Sequence, residues 1–257
     1  MRSVLVTGAS TGIGRATALR LDAAGWRVFA GVRREEDAEA LRAAGSERLV
    51  PLTLDVTDAD HLAAAAARVE AAGEGLDGLV NNAGVAIPAP LETIPIEDLR
   101  RQIEVNLIAQ VAVTQALLPE LRRARGRIVF IASIGGRIAF PLNGPYHAAK
   151  FGIEAVGDVF RQELRPWGLR VSIVEPGSIA TPIWERGTTT AEAVQERAGP
   201  ILGTPIDWSI SQSRTPDDLA RSRRTAQLDR REAPEPRCGR APRARRRRRR
   251  RRVRRAA

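Results

Sequence analysis

Short, continuous apolar runs alternate along the chain with longer segments whose apolar residues recur at helical spacing. The runs are Ser3–Thr7, Arg27–Val32, Leu49–Leu54, Gly78–Val80, Arg127–Ala132 and Arg170–Val174. None alternates apolar with polar residues, so each reads as a strand buried on both faces, as the strands of a parallel sheet are. The amphipathic, Ala-rich segments between them predict helices over 12–24, 35–44, 59–72, 97–124 and 145–166. In "TDADHL", Thr57 or Asp58 is placed to cap the third of these. Strand–helix alternation sustained over six strands predicts an α/β domain built on a doubly wound parallel sheet, with helices on both faces.

The pattern stops near residue 215. "TPDDLAR" reads as a capped helix start, but the sequence beyond it has almost no apolar periodicity and includes eight consecutive arginines, 245–252. Such a segment cannot bury a core and is expected to be disordered. The division is therefore a single domain over 1–214 and a disordered or degenerate basic tail over 215–257. The net charge of +11 belongs to that tail: residues 215–257 carry 18 Arg against 5 acids, while 1–214 balance to −2. A polyanionic partner such as nucleic acid is thus a reading for the tail alone. Two readings of the tail stay open. One is an Arg-rich arm for nucleic acid or anionic surfaces. The other is a reading-frame shift near Arg221, where the sense of the sequence is lost within a helix. The single cysteine, Cys238, leaves no internal disulfide, and no apolar run approaches the ~20 residues of a membrane span. After "MR" the chain enters a strand rather than a leader. The expectation is a soluble, cytoplasmic protein with no membrane span.

The first strand runs into "TGASTGIG", which sets Gly8, Gly12 and Gly14 between that strand and the first helix. Glycine permits a tight turn and close approach of a ligand, and the helix N-terminus then offers free N–H groups to a pyrophosphate. The second strand ends at Val32 and is followed by Arg33 and Arg34. Arginine there can fork onto a 2′-phosphate, which favours NADP over NAD, although an Arg pair at a strand end is also an ordinary solvated surface feature. The composition holds a further signal. The chain has one tyrosine and, among 41 basic residues, one lysine, and they fall four apart in "YHAAK" as Tyr146 and Lys150. Random placement gives that spacing about once in 256 trials. No metal-ligand set is read from the sequence.

With these motifs the chain resembles the short-chain dehydrogenase/reductase family over residues 2–182. "TGASTGIG" is similar to its cofactor turn, which implies contacts from Gly8, Ser10, Gly12, Ile13 and Gly14. "LDV" resembles its adenine-contacting strand end, with Asp55 and Val56. "NNAG" resembles the segment beside the cofactor that steadies the central sheet, with Asn82, Ala83 and Gly84. "PGSIAT" resembles the stretch that holds the nicotinamide carboxamide, with Pro176, Gly177 and Thr181. Asn106, Ser133, Tyr146 and Lys150 match the family's catalytic tetrad. "KFGIEAVGDVFRQEL" with "GLRVSIVEPG" is most similar to the retinol dehydrogenase and 17β-hydroxysteroid dehydrogenase branch. The resemblance implies a Rossmann-like sheet of six to seven strands in the order 3-2-1-4-5-6(-7). It also implies hydride transfer between NADP(H), or NAD(H), and an alcohol or ketone, and a homodimer or homotetramer formed through helices 97–124 and 145–166.

The chemistry explains the residue types. A carbinol that loses hydride also loses a proton, which calls for a general base titrating near the working pH, and free tyrosine at about 10 is too weak an acid. A cation favours the phenolate, and Lys150 lies on the Tyr146 face of its helix. The resemblance adds a ribose contact for Lys150, a substrate-oxygen bond for Ser133, and a water-relay anchor for Asn106. His147 points elsewhere on the helix and reads as a surface or supporting residue. Residues 182–214 are expected to form a lid, where Trp184, Ile201, Leu202 and Trp208 either wall an apolar pocket or pack a loop. The rival reading is a catalytically impaired cofactor-binding protein whose tail engages nucleic acid or anionic surfaces.

Overall fold

The computed structural model describes residues 1–183. Six parallel strands form one sheet: β1 (Ser3–Val6), β2 (Arg27–Val32), β3 (Leu49–Thr53), β4 (Gly78–Asn81), β5 (Arg127–Ile131) and β6 (Arg170–Val174). Their order is β3-β2-β1-β4-β5-β6, as expected for the first six strands. The expected lid beyond Ile183, the seventh strand, the tail and the boundary at 214 lie outside the described residues.

The continuous apolar runs have their explanation in the two core layers. Successive strand side chains point to opposite faces. Leu5, Phe29, Leu79, Ile128 and Phe130 enter a layer with Val69 of α3 (Ala59–Glu70), Val113 and Leu117 of a later helix, and Ile153. Val4, Val6, Val28, Ala30 and Val80 enter the opposite layer with Ala18 of α1 (Gly12–Ala23) and Leu41 of α2 (Glu35–Ala44). Asp58, rather than Thr57, caps α3: its carboxylate accepts from the N–H groups of Asp60 at 2.9 Å and His61 at 3.1 Å.

One predicted element is different in kind. The helix expected over 97–124 is α4 (Ile96–Ile103), a π-helical turn (Glu104–Ile108) and α5 (Ala109–Ala124). At the turn the Ala109 N–H reaches back to the Glu104 carbonyl, five residues away. The cause lies in three buried amides. Gln102 accepts from the Ile87 N–H and donates to the Val85 carbonyl, both at 2.8 Å. Asn106 accepts from the Val85 N–H and donates to the same carbonyl, both at 2.8 Å. Gln110 donates to the Ala83 carbonyl at 3.2 Å. In an unbroken α-helix at ~3.6 residues per turn, positions eight apart are displaced by about 80°. Widening one turn brings all three amides onto one row against the segment 83–87.

The chain passes outward from β1 to β3 and returns to β4, on the other side of β1. In open α/β sheets ligands bind at the carboxyl ends of the strands where this reversal occurs.

Candidate active site

At that reversal a cleft of about 1110 Å³ opens. Among the described residues, every one expected to touch cofactor or to act in catalysis lines it, except Gly14. Gly14 sits behind the wall, where a Cβ would lie 2.2 Å from the Gly8 carbonyl oxygen. Gly8 has φ +64°, and a Cβ there would meet the Ala83 backbone at 2.8 Å. The turn is stitched to β4 from the other side. Thr7 Oγ1 accepts from the N–H groups of Asn82 and Ala83, each at 2.9 Å. The Asn82 amide donates to the carbonyls of Thr7 at 2.9 Å and Gly8 at 3.1 Å. Thr11, which precedes α1, makes no side-chain cap, and the first turn of α1 has no acid. Its N–H groups are thus left for an anion. A glycine cradle that admits no side chain and an uncapped helix start both fit a dinucleotide pyrophosphate.

At the end of β2 the two arginines have different fates. Arg34 is forked onto Asp37, at 3.0 and 3.1 Å. Arg33 is exposed, lines the cleft and makes no ion pair among the described residues. Burial works to raise the Asp55 carboxyl, but hydrogen bonds from the Thr57 N–H and hydroxyl, and the Arg33 charge, hold it below its usual value.

The catalytic candidates meet where β5 and α6 (Gly144–Glu163) converge. Ser133 follows β5, and its Oγ accepts from the Gly135 N–H at 3.0 Å. Ser133 and Tyr146 face the same cleft, and Ser133 acts to favour the Tyr146 phenolate. Lys150 is buried one turn along α6, donates to the Ile131 carbonyl at 2.7 Å, and places Nζ 5.7 Å from the Tyr146 ring centre. Burial pushes Tyr146 above its usual pKa, with Ser133 opposing. Burial also lowers Lys150 to about 8, against an opposing charge on Glu154. For the chain alone, burial sets the direction at Tyr146 and Ser133 is what opposes it, so the expected lowering by Lys150 is not seen there.

Asn106 is fully buried in the π turn, with its side-chain amide engaged by Val85. Gln102 and Gln110, which complete that row, were not singled out by sequence reasoning; their spacing of four on either side of Asn106 is the signal that was available. His147 takes the supporting one of its two expected roles. It is buried at 3 % exposure, its Nδ1 lies 2.8 Å from the Gly135 carbonyl and its ring packs edge-on to Phe140. It supports the turn that carries Ser133 rather than facing solvent.

Comparison with known proteins agrees with this geometry. A family model for short chain dehydrogenases matches residues 2–192. Human 17-beta-hydroxysteroid dehydrogenase type 6 is 47% identical over 181 residues, covering 69% of this chain and 57% of that protein. Human retinol dehydrogenase 16 is 43% identical over 183 residues, covering 70% and 57%. A 3-amino-tetrahydro-pyrrolizinone reductase from Xenorhabdus hominickii is 40% identical over 199 residues, covering 77% and 68%. The crystal structure of a short-chain dehydrogenase from Streptomyces avermitilis superposes with a TM-score of 0.67 at 38% identity, covering 70% of this chain and 67% of that one. The chain thus spans just under three fifths of the length of the two human relatives.

Proposed function

The chain belongs to the short-chain dehydrogenase family, and on that premise we propose that it is an oxidoreductase moving hydride between NADP(H) and an apolar alcohol or the matching carbonyl. The observation that carries the reading is that Ser133, Tyr146 and Lys150 line one cleft, with Lys150 buried one helical turn from Tyr146 on the same face. Bound in the cleft, the nicotinamide would supply the hydride donor or acceptor and, when oxidised, a positive charge.

In this reading Tyr146 takes the alcohol proton, or returns it to the carbonyl oxygen. Ser133 receives the Gly135 N–H on its oxygen, so its own hydroxyl proton is free to donate. Donation to the substrate oxygen orients the carbonyl, and donation to Tyr146 favours the phenolate. Lys150 adds a compact charge beneath the pair and is within the cleft to meet a ribose. Asn106 fixes the Val85 segment and anchors the proton relay to solvent. The α1 N-terminus and the glycine turn hold the pyrophosphate, Asp55 and Val56 the adenine, and Pro176, Gly177 and Thr181 the nicotinamide end. Arg33, with no ion pair among the described residues to give up, takes the 2′-phosphate and sets the preference for NADP over NAD. Val85, Ile87, Leu99, Ile103 and Ile179 give the cleft an apolar side. Relatives named for retinol and 17-beta-hydroxysteroids support a hydrophobic substrate.

A panel of retinoids, hydroxysteroids and simple ketones, run with both cofactors, tests this. Turnover should favour NADP(H), and Tyr146→Phe should lose at least about 100-fold in kcat. Arg33→Asp should reverse the cofactor preference. Full turnover in the Phe variant would overturn the mechanism, and an unchanged preference in Arg33→Asp would overturn the cofactor assignment.

A further inference from the structure

The backbone holds Ser133 from both sides. The Ala132 N–H donates to the Val174 carbonyl at 2.8 Å, and the Ile134 N–H donates to the Pro176 carbonyl at 3.0 Å. Pairing between the two chain segments thus runs past the end of β6 and into the Pro176–Gly177 turn. Beyond Ser133 the chain closes on itself: the Gly136 N–H donates to the Ser133 carbonyl at 2.8 Å and the Arg137 N–H to the Ile134 carbonyl at 3.0 Å. This turn lies directly on α6, where a Cβ on Gly136 would be 2.8 Å from the Lys150 carbonyl oxygen and 3.1 Å from Glu154 Cγ. Arg137 leaves the turn and reaches two carboxylates with one nitrogen. Its Nη2 lies 3.0 Å from Glu154 of α6 and 2.8 Å from Glu175, the residue between the two acceptor carbonyls. None of the three charged residues lines the cleft.

The two ion pairs differ in kind. The Glu154 side chain is 8 % exposed, and neither of its oxygens receives a hydrogen bond among the described residues. Such a carboxylate is costly to bury without a cation beside it. Among the described residues Arg137 is the cation at ion-pair distance; Arg161, further along α6, is engaged by Asp158 and the Val171 carbonyl. Arg137 and Glu175 are both partly open to solvent, and an exposed pair gains little when it must order two side chains in water. Here Glu154 has already fixed the arginine, so Glu175 meets a cation that is held in place. We infer that Arg137 is a positioning residue: seated by Glu154, it ties Glu175 to the Ser133 turn and to α6, and so sets where the Ser133 hydroxyl stands relative to the Pro176–Gly177 turn. The inference rests on the function proposed above, since Ser133 and the nicotinamide end are the two groups that the bridge aligns.

Glu175→Gln tests the bridge without stranding a buried charge, because Glu154 keeps its cation. It should lower kcat by about 10-fold through misalignment of the reacting groups. In a Ser133→Ala background the same change should cost no further kcat, since the group that it misplaces is already gone. Arg137→Met leaves Glu154 buried and unpaired and should lower the thermal midpoint. Arg137→Met combined with Glu154→Leu removes the charge together with its partner and should recover the midpoint but not kcat. Amide hydrogen exchange provides a readout that needs no turnover. In Glu175→Gln, peptides spanning 132–137 and 174–182 should exchange faster while those of β1 and β4 keep their rates. An unchanged kcat, a loss that simply adds to that of Ser133→Ala, or exchange that rises throughout the chain or nowhere would overturn the inference. A chain inactive on every substrate would count against the proposed function and leave the exchange result to decide this one.

Discussion

At Lys150, burial removes a charge that the neighbouring carboxylate retains, and the balance stands at about 8 rather than the ordinary 10.5. A base with a lowered folded-state pKa is neutral in the folded protein while still protonated in the unfolded one. Between about pH 8 and 10.5 unfolding therefore takes up a proton, and this residue's contribution to stability rises with pH. Tyr146 has the opposite slope. Its pKa is raised above 10.0, so the folded form keeps a proton that the unfolded form releases, and its contribution falls above that pH. Denaturant midpoints measured from pH 7 to 11 should show Lys150→Met losing the rising slope and Tyr146→Phe losing the falling one; parallel curves would refute the assignment. The pair itself was legible because one Tyr and one Lys at helical spacing stand out in an Arg-rich chain. His147 and Glu154 were not. Each is a polar residue on an amphipathic helix whose burial no periodicity signals, and each packs against the turn at Gly135 and Gly136.

Among the elements, the strands were read almost to the residue, since most are short apolar runs bounded by turn residues. The helix over 97–124 was read as one because apolar periodicity registers which face is buried and cannot register a single widened turn. That turn depends on the amide row, and Gln102 tests the row. It is fully buried and carries both the Ile87 N–H and a share of the Val85 carbonyl. Gln102→Leu leaves the Ile87 N–H without its partner, a loss of about 1–3 kcal/mol. It should lower the unfolding midpoint and raise KM more than it lowers kcat, because the segment 83–87 lines the cleft without carrying the acid or base. An unchanged KM would show that the row serves stability alone.

For the whole molecule, the topology places the site across two sets of strands. The glycine turn, Arg33 and Asp55 belong to β1–β3 and their loops, and Ser133, Tyr146, Lys150 and Pro176 to β4–β6 and theirs. A dinucleotide that spans the cleft touches both. NADPH at 100-fold its Kd should stabilise the fold by about 2.7 kcal/mol and raise the thermal midpoint by about 5–10 °C. A midpoint unmoved by saturating NADPH would show that the folded chain does not bind it. The sheet order was legible through the family resemblance, while the ion cluster of Arg137, Glu154 and Glu175 was not, since it joins a turn, a helix and a strand end that only the folded chain brings together. The stitch between Thr7 and Asn82 has its own consequence. It joins segments 75 residues apart, across a ladder that pairs β1 with β4. A cut at the exposed Gly73 would part the described residues into two three-stranded pieces, one carrying the glycine turn and the other Tyr146 and Lys150. Each piece presents a complementary strand edge to the other, so the two form a split reporter whose reassembly is read as restored turnover.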